Sequence, residues 1–325
     1  MARFTDLLVA AAVALGLSVA ATSVRAEDYP SRPVRIVVAY PAGGVIDLLS
    51  RIYAEALGKE LGQTIVVENR FGGDGTIGLM EVVRSEPDGY TILSDGFGGE
   101  LIPPLMKSNF PVDVQKDLTF IARPAEFANV VVINKDLPVN SVEELIAYAK
   151  ERPGELNVAS SGTATSDRLT AEMFMQATGT KFTLVPYKGA AAALQDMTAG
   201  VVQVMFANMP PAMGLIQAGS IKALAVTSNY RMSQLPDVPT LDEAGVEGFS
   251  MTSWNGIFGP KDLPQEIIDR LNAAYVKTSQ SPEVREKLSK IGYEPVSQTA
   301  TEFRAFYDEE RERWKKVIDT AGLRQ

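Results

Sequence analysis

The chain has no cysteine and no histidine. Without cysteine there can be no disulfide, no thiol nucleophile and no thiolate metal site. Without histidine the commonest general base, the Ser-His-Asp/Glu triad and the usual zinc ligands are missing too. Carboxylates and Ser-Lys pairs remain for catalysis; no metal, no cofactor and no enzymatic activity are expected. Long apolar runs are also scarce. One extends from Leu7 to Ala21, between Arg3 and Val24-Arg25-Ala26, and the last three carry small or aliphatic residues where a signal peptidase reads. At 15 residues it falls short of the ~20 of a spanning helix. An export signal cleaved after Ala26 is therefore expected. Positive charge is in deficit, with 31 Lys and Arg against 40 Asp and Glu, a net of −9. The first 26 residues hold Arg3, Arg25 and Asp6, so the remaining 299 carry −10. That balance argues against nucleic acid and anionic membranes. The length suggests two domains.

What is present begins with a strand that runs into two glycines. Val34–Tyr40 is apolar and β-branched, and Pro41-Ala42-Gly43-Gly44 cannot continue it. Leu48, Leu49, Ile52, Ala56 and Leu57 then recur at helical spacing. The glycines therefore sit at a helix N-terminus, where unpaired N–H groups and about half a positive charge collect. No Cβ keeps a ligand from the backbone there. This is an anion seat, for a phosphate or a carboxylate, with Asp47 placed to cap the helix.

Strands and helices alternate thereafter. Helix 46–61, strand Thr64–Glu68, helix Ile77–Ser85 and strand Thr91–Leu93 predict a largely parallel sheet. Val130–Asn134 reads as a strand, and Ser141 with Glu144 as a capping box. Leu156–Ser160 is a strand ending in the hydroxyl-rich Ser160-Ser161-Gly162-Thr163-Ala164-Thr165, a second turn that could hold a carboxylate. Pro282 opens one late helix, and Thr301 is placed to cap the last, whose apolar face is Phe303, Phe306, Trp314, Val317 and Ile318. With no repeat or linker in view, two lobes with more than one crossing are expected.

Other residues admit two readings. Gly73-Asp74-Gly75-Thr76-Ile77-Gly78 is a literal G-x-G-x-x-G with Asp95 ending the next strand. It is either half of a dinucleotide fingerprint or a turn, and its place after the second strand favours the turn. Arg168 could reach a carboxylate or form a surface ion pair. Lys188 could face the cleft or be solvated. Asn208, ending a strand, could donate and accept at the cleft. Asp47, Asp95 and Glu100 are the acids a carboxylate-based hydrolase would need to bring together.

The segments PAGG…D (41–47), VVENRFGGDGTIG (66–78), PDGYTIL (87–93), VPYKGAAAALQDMTAG (185–200), KALAVTS (222–228), LPDVPTLDEAG (235–245) and GFSMTSW (248–254) resemble Bug-type extracytoplasmic solute receptors of tripartite tricarboxylate transporters. The resemblance runs from about Tyr29 to the C-terminus. It implies an α/β, two-lobe periplasmic-binding-protein fold of the type II kind, with the ligand cleft between the lobes. One lobe would be 27–124 plus 228–325, the other 125–227. It also implies a periplasmic monomer that carries a small organic mono- or dicarboxylate to membrane permease subunits. A ligand sensor for a signalling partner would use the same fold. It implies that the loops 41–47 and 160–165 hold the carboxylates, so that, with Tyr40, Arg168 and Asn208 added from their own positions, the candidate contacts are Tyr40, Ala42, Gly43, Gly44 and Asp47 on one side and Ser160, Ser161, Gly162, Thr163, Thr165, Arg168 and Asn208 on the other. Three positions depart from the family pattern: the aliphatic Val45-Ile46, Arg168 and Ala207. The aliphatic pair, with Phe97 and Met209 expected nearby, would favour an apolar or aromatic ligand body.

Overall fold

A computed structural model describes residues 29–162, 165–321 and 324, without the side chains of 320 and 321. The expected export signal and Thr163 lie outside these residues. The first strand, β1 (Val34–Val38), enters α1 (Val45–Leu61) through the Pro-Gly turn. Next come β2 (Ile65–Asn69), α2 (Thr76–Val83) and β3 (Thr91–Gly96). β1 pairs in parallel with β2 and β3, as consecutive β-α-β units require.

The expectation of a largely parallel sheet fails at the next strand. β4 runs unbroken from Leu118 to Asn134, where the sequence suggested a strand only at 130–134. Pro124, which cannot donate to a ladder, sits within it, and register shifts between Phe120 and Ala125 absorb it. After β4 follow α3 (Val142–Glu151), β5 (Asn157–Ser160), α4 (Ser166–Thr178), β6 (Thr183–Pro186) and α5 (Ala190–Ala199). Then come β7 (Val204–Asn208), α6 (Met209–Gln217), β8 (Ile221–Val226) and β9 (Thr252–Pro260). The chain closes with α7 (Gln265–Gln280), α8 (Pro282–Lys290), β10 (Tyr293–Pro295) and α9 (Ala300–Ala321). The sheet order is β2-β1-β3-β9-β4-β7-β5-β6, with β8 and β10 also paired to β4. All pairings of β4 and β9 are antiparallel, so the sheet is mixed.

β4 is the seam. Its Leu118–Ala128 stretch pairs with β9, and its Asn129–Asn134 stretch pairs with β7 and β8. Where it changes partners, the buried Thr227 ties three chain segments together. Its Oγ1 donates to the carbonyl of Met251 at 2.6 Å and accepts from Asn129 N–H at 2.9 Å. The core closes on both sides of the sheet. One cluster joins Phe97, Phe120, Trp254 and Phe258 to Phe303, Tyr307 and Trp314 of α9, and another joins Tyr53 of α1 to Tyr275 of α7.

Local capping follows the sequence in most places. Ser141 accepts from Glu144 N–H, and Ser281 accepts from Val284 N–H ahead of Pro282. The last helix differs: Thr299, not Thr301, exchanges hydrogen bonds with Glu302, because α9 starts at Ala300.

Candidate functional site

A cavity of ≈ 220 Å³ lies against the seam. Its walls come from the turn before α1 (Tyr40, Pro41, Ala42, Gly44), the start of α4 (Thr165, Ser166) and the start of α5 (Gly189–Ala192). Three helix N-termini thus converge on one space, each carrying about half a positive charge and unpaired N–H groups. Gly189 is needed at its N-cap by geometry, since φ of +139° is closed to ordinary side chains. A second hollow of ≈ 520 Å³ shares Tyr40, Pro41, Gly98, Ser161, Thr165 and Lys188 with the first, so the two form one cleft.

The first turn is held rigid by an acid. Gly44 is the N-cap of α1, with φ −81° and no capping side chain, so Asp47 is not the cap expected from sequence. Asp47 stands at the third helical position and folds back to accept the Gly43 N–H at 2.9 Å. Arg51 pairs with it at 2.9 Å, and Asn69 donates to it at 3.0 Å while also donating to the Tyr40 carbonyl. Burial works to raise this carboxyl, but hydrogen bonds from Arg51, Gly43 and Asn69 outweigh it and hold Asp47 below the usual carboxylate range. One consequence corrects the sequence reading. The Gly43 N–H is spent on Asp47, and Gly43 faces an outer hollow with Ala191 and Leu194 instead of the cavity. Gly44, Val45 and Ile46, the next residues of this turn, do line the cavity. The hydroxyl of Tyr293 donates to the Val45 carbonyl and fixes the start of the helix.

The second turn repeats the device. Asp167, fully buried at the second position of α4, accepts the Ser161 N–H at 2.6 Å and the N–H of Arg168 at 3.0 Å. It has no cationic partner among the described residues, and burial raises it against the hydrogen bonds from Thr165 and Ser161. Ser160 is buried, and its hydroxyl donates to the Gly162 carbonyl, so it shapes the turn without reaching the cavity. Ser161 and Thr165 line the cavity, and Gly162 lines the adjoining hollow.

Asn208 stands at the N-cap position of α6 without a side-chain capping bond, is 6 % exposed and lines the cavity. The Ser166 hydroxyl donates to its Oδ1 at 2.7 Å, which leaves the amide N–H groups for the cavity. Arg168 is not brought in. Its guanidinium is drawn back along α4 to Glu172 at 2.6 Å. Met209 is also absent from the cavity wall, being buried against Gly292 instead, whereas Phe97 does line it.

Several wall residues were not foreseen. Ala190–Ala192 follow a strand and a glycine, the same grammar as the first turn, and could have been found by it. Phe127 of β4 and Ser253 of β9 carried no signal, because only the seam brings them here. Lys188 lines both hollows and forms no ion pair among the described residues. Asp95 and Glu100 do come together, each accepting from the Gly96 N–H, while Asp47 stays apart. The G-x-G-x-x-G glycines have conformational reasons of their own. Gly73 and Gly75 are left-handed, and a Cβ on Gly78 would meet the Arg70 carbonyl at 2.8 Å and Ala39 Cα at 2.9 Å.

Comparison with known proteins agrees with this geometry. Residues 49–323 match the model of the tripartite tricarboxylate transporter family receptor. The chain is 34% identical to Protein BugT of Bordetella pertussis over 323 residues, covering 99% of each. An R. palustris protein solved with adipate superposes with a TM-score of 0.88 at 36% identity, covering 91% of this chain and 99% of that one. MatC from Rhodopseudomonas palustris, solved with bound malate, gives 0.84 at 29% identity, covering 89% and 100%. The two-lobe α/β fold is thus that of periplasmic binding proteins, and no helix among the described residues is long and apolar enough to cross a membrane. The chain belongs to the tripartite tricarboxylate transporter receptor family, a family of transport-associated periplasmic solute-binding proteins.

Proposed function

We propose that this protein is a non-catalytic periplasmic receptor that captures a small organic carboxylate in the cleft and hands it to membrane permease subunits. One observation carries the reading: the N-termini of α1, α4 and α5 converge on a single cavity, with the Asn208 amide turned toward it. Backbone N–H groups of this kind accept a carboxylate without a cation. Gly44, Ser161, Thr165 and Asn208 are the direct contacts, Tyr40 and Ala42 the walls, and Gly43, Asp47, Ser160 and Gly162 hold the turns. The ligands of the neighbours, adipate and malate, are small carboxylates and support the class. Val45, Ile46, Phe97 and Phe127 make the wall apolar, which suits a ligand with a hydrocarbon body.

The lobes divide within β4, where Ala128 is the last residue paired with β9 and Asn129 the first paired with β7, which moves the boundary expected at 124/125 to 128/129, with 129–227 as the second lobe. The crossing at Asn129, Thr227 and Met251 is the hinge. α1 belongs to one lobe, and α4 and α5 to the other, so a bound carboxylate favours the closed form to the extent that it touches both. The protein acts as a monomer after removal of residues 1–26. A thermal-shift series over aliphatic and aromatic mono- and dicarboxylates tests this. At least one should raise the midpoint in a concentration-dependent way, consistent with micromolar or tighter binding, ~−8 kcal/mol. No stabilisation by any of them would overturn the reading.

A further inference from the structure

The cavity has an acidic end that carboxylate capture leaves unused. Asp95, near the end of β3, lines it, and Glu100 lies five residues on. They are 1% and 0% exposed. The Gly96 N–H donates to Asp95 at 2.8 Å and to Glu100 at 3.0 Å, and Asp95 Oδ2 and Glu100 Oε1 have no further partner among the described residues. Burial pushes both carboxyls up, and the nearness of Asp95 pushes Glu100 further. Burial lifts the Asp95 carboxyl to about 7.

No cation pairs with either carboxyl among the described residues, and Lys188, which lines the same cavity, is not among the charges that shift them. The Tyr307 hydroxyl donates to the Glu100 carbonyl, and the Ser94 hydroxyl accepts from Ser50. Tyr40 stays neutral, its hydroxyl held high by burial and by Asp95, Glu100 and Asp74. Trp254, 2% exposed, lines the same cavity and has an indole N–H without a partner among the described residues. Every other buried acid described has its own donors. Asp47 has Arg51 and Asn69, Glu310 has Arg313 and the Trp314 indole, and Asp167 has the N–H groups of Ser161 and Arg168. A carboxyl pair with one N–H between them, at the wall of a ligand cavity, is completed by something that enters it.

Resting on the carboxylate reading above, we propose that Asp95, backed by Glu100, is the subsite for a cationic hydrogen-bond donor, so that the captured carboxylate also carries an ammonium group. The ligand's two ends then match the cleft's two ends: helix N-termini for the anion and a buried carboxyl for the cation. A plain dicarboxylate reaching this far would bring its second negative charge onto Asp95.

Calorimetric titration of the full mature protein with short straight-chain monocarboxylates and their amino derivatives, the amine placed at each carbon in turn, tests the assignment. At least one amino derivative should bind about tenfold or more tightly than its parent, because a buried polar group rejects a ligand that leaves it unpaired. In Asp95→Asn the ratio should fall to about one, and Glu100→Gln should shrink it, with circular dichroism and the unfolding midpoint reporting that both variants are folded. Two results would overturn the assignment: parents that bind as well as all their amino derivatives, or a preference that survives both substitutions. Failure of parents and amino derivatives alike would instead strike the carboxylate reading itself, and this one with it.

Discussion

The turn into α1 and the turn into α4 solve one problem with different chemistry. Each must leave helix N–H groups open to a ligand while holding a loop still, and each folds an early helical aspartate back onto a loop N–H. At α1 the acid is tied to Arg51 and Asn69, and the cavity side is glycine, valine and isoleucine. At α4 the acid has N–H and hydroxyl donors alone, and the cavity side is Ser161, Thr165 and Ser166. The first turn offers backbone donors beside an apolar wall; the second offers backbone and hydroxyl donors together. The difference implies an orientation, with the ligand's hydrocarbon body against α1 and its polar end shared with α4.

The largest effect should come from closing one seat without harming the fold. Gly44 has a negative φ, and a Cβ there meets only the Pro41 carbonyl at an ordinary 3.6 Å. Gly44→Asp should therefore cap α1 with its own carboxylate and keep or raise the unfolding midpoint. The same side chain occupies and repels the anion seat, so carboxylate affinity should fall by about a hundredfold in titration. Thr165→Asp performs the same operation on α4. If only one of the two abolishes binding, that turn holds the carboxylate.

Asn208→Ala comes next. It removes an amide turned toward the ligand, and a hydrogen bond to a charged group is worth ~1.5–3 kcal/mol, so affinity should drop by about ten- to a hundredfold. Stability should fall by only ~1 kcal/mol, for the lost bond from Ser166. Unchanged affinity would remove Asn208 from the contact set.

The smallest effect, and the sharpest contrast, concerns pH. Asp47 is depressed in the folded state, so its contribution is present above its unfolded value of ~3.9 and is lost as pH falls through the folded one. Asp47→Asn should cost ~1–3 kcal/mol near neutrality and progressively less in acid. Asp167 is raised, so the folded state binds its proton more tightly, and the cost of ionising it disappears as pH falls. Relative to wild type, Asp167→Asn should therefore fare better near neutrality than in acid. Urea unfolding across that range checks both slopes, and parallel profiles would refute the distinction between the turns.

Legibility in the sequence followed the range of the interaction. The Pro41–Gly44 and Ser160–Thr165 turns were readable because glycine, proline and hydroxyl chemistry acts within a few residues. So were the Ser141 cap and the helix start at Pro282. The position of Asp47 was missed by one helical turn, since nothing in the sequence says whether α1 begins at Val45 or beyond Asp47. The sequence left Arg168 between a carboxylate contact and an ion pair, and the structure pairs it with Glu172, one turn further on. The 17-residue β4 was invisible at its centre, where Pro124 looks like a break and only bulges and neighbouring strands keep it paired.

By itself, then, the sequence determined a composition without cysteine or histidine, the alternation of strands and helices, and two turns, one glycine-rich and one hydroxyl-rich, at helix N-termini, all from local pattern. Tertiary structure alone decided which turns face each other. It added α5 as a third helix end, spent Gly43 on Asp47, and set Asp95 beside Glu100 at the cavity wall. The physical reason is that helix ends and turns are fixed by neighbours in the chain, whereas a cleft is fixed by β4 and the strands that trade places along it.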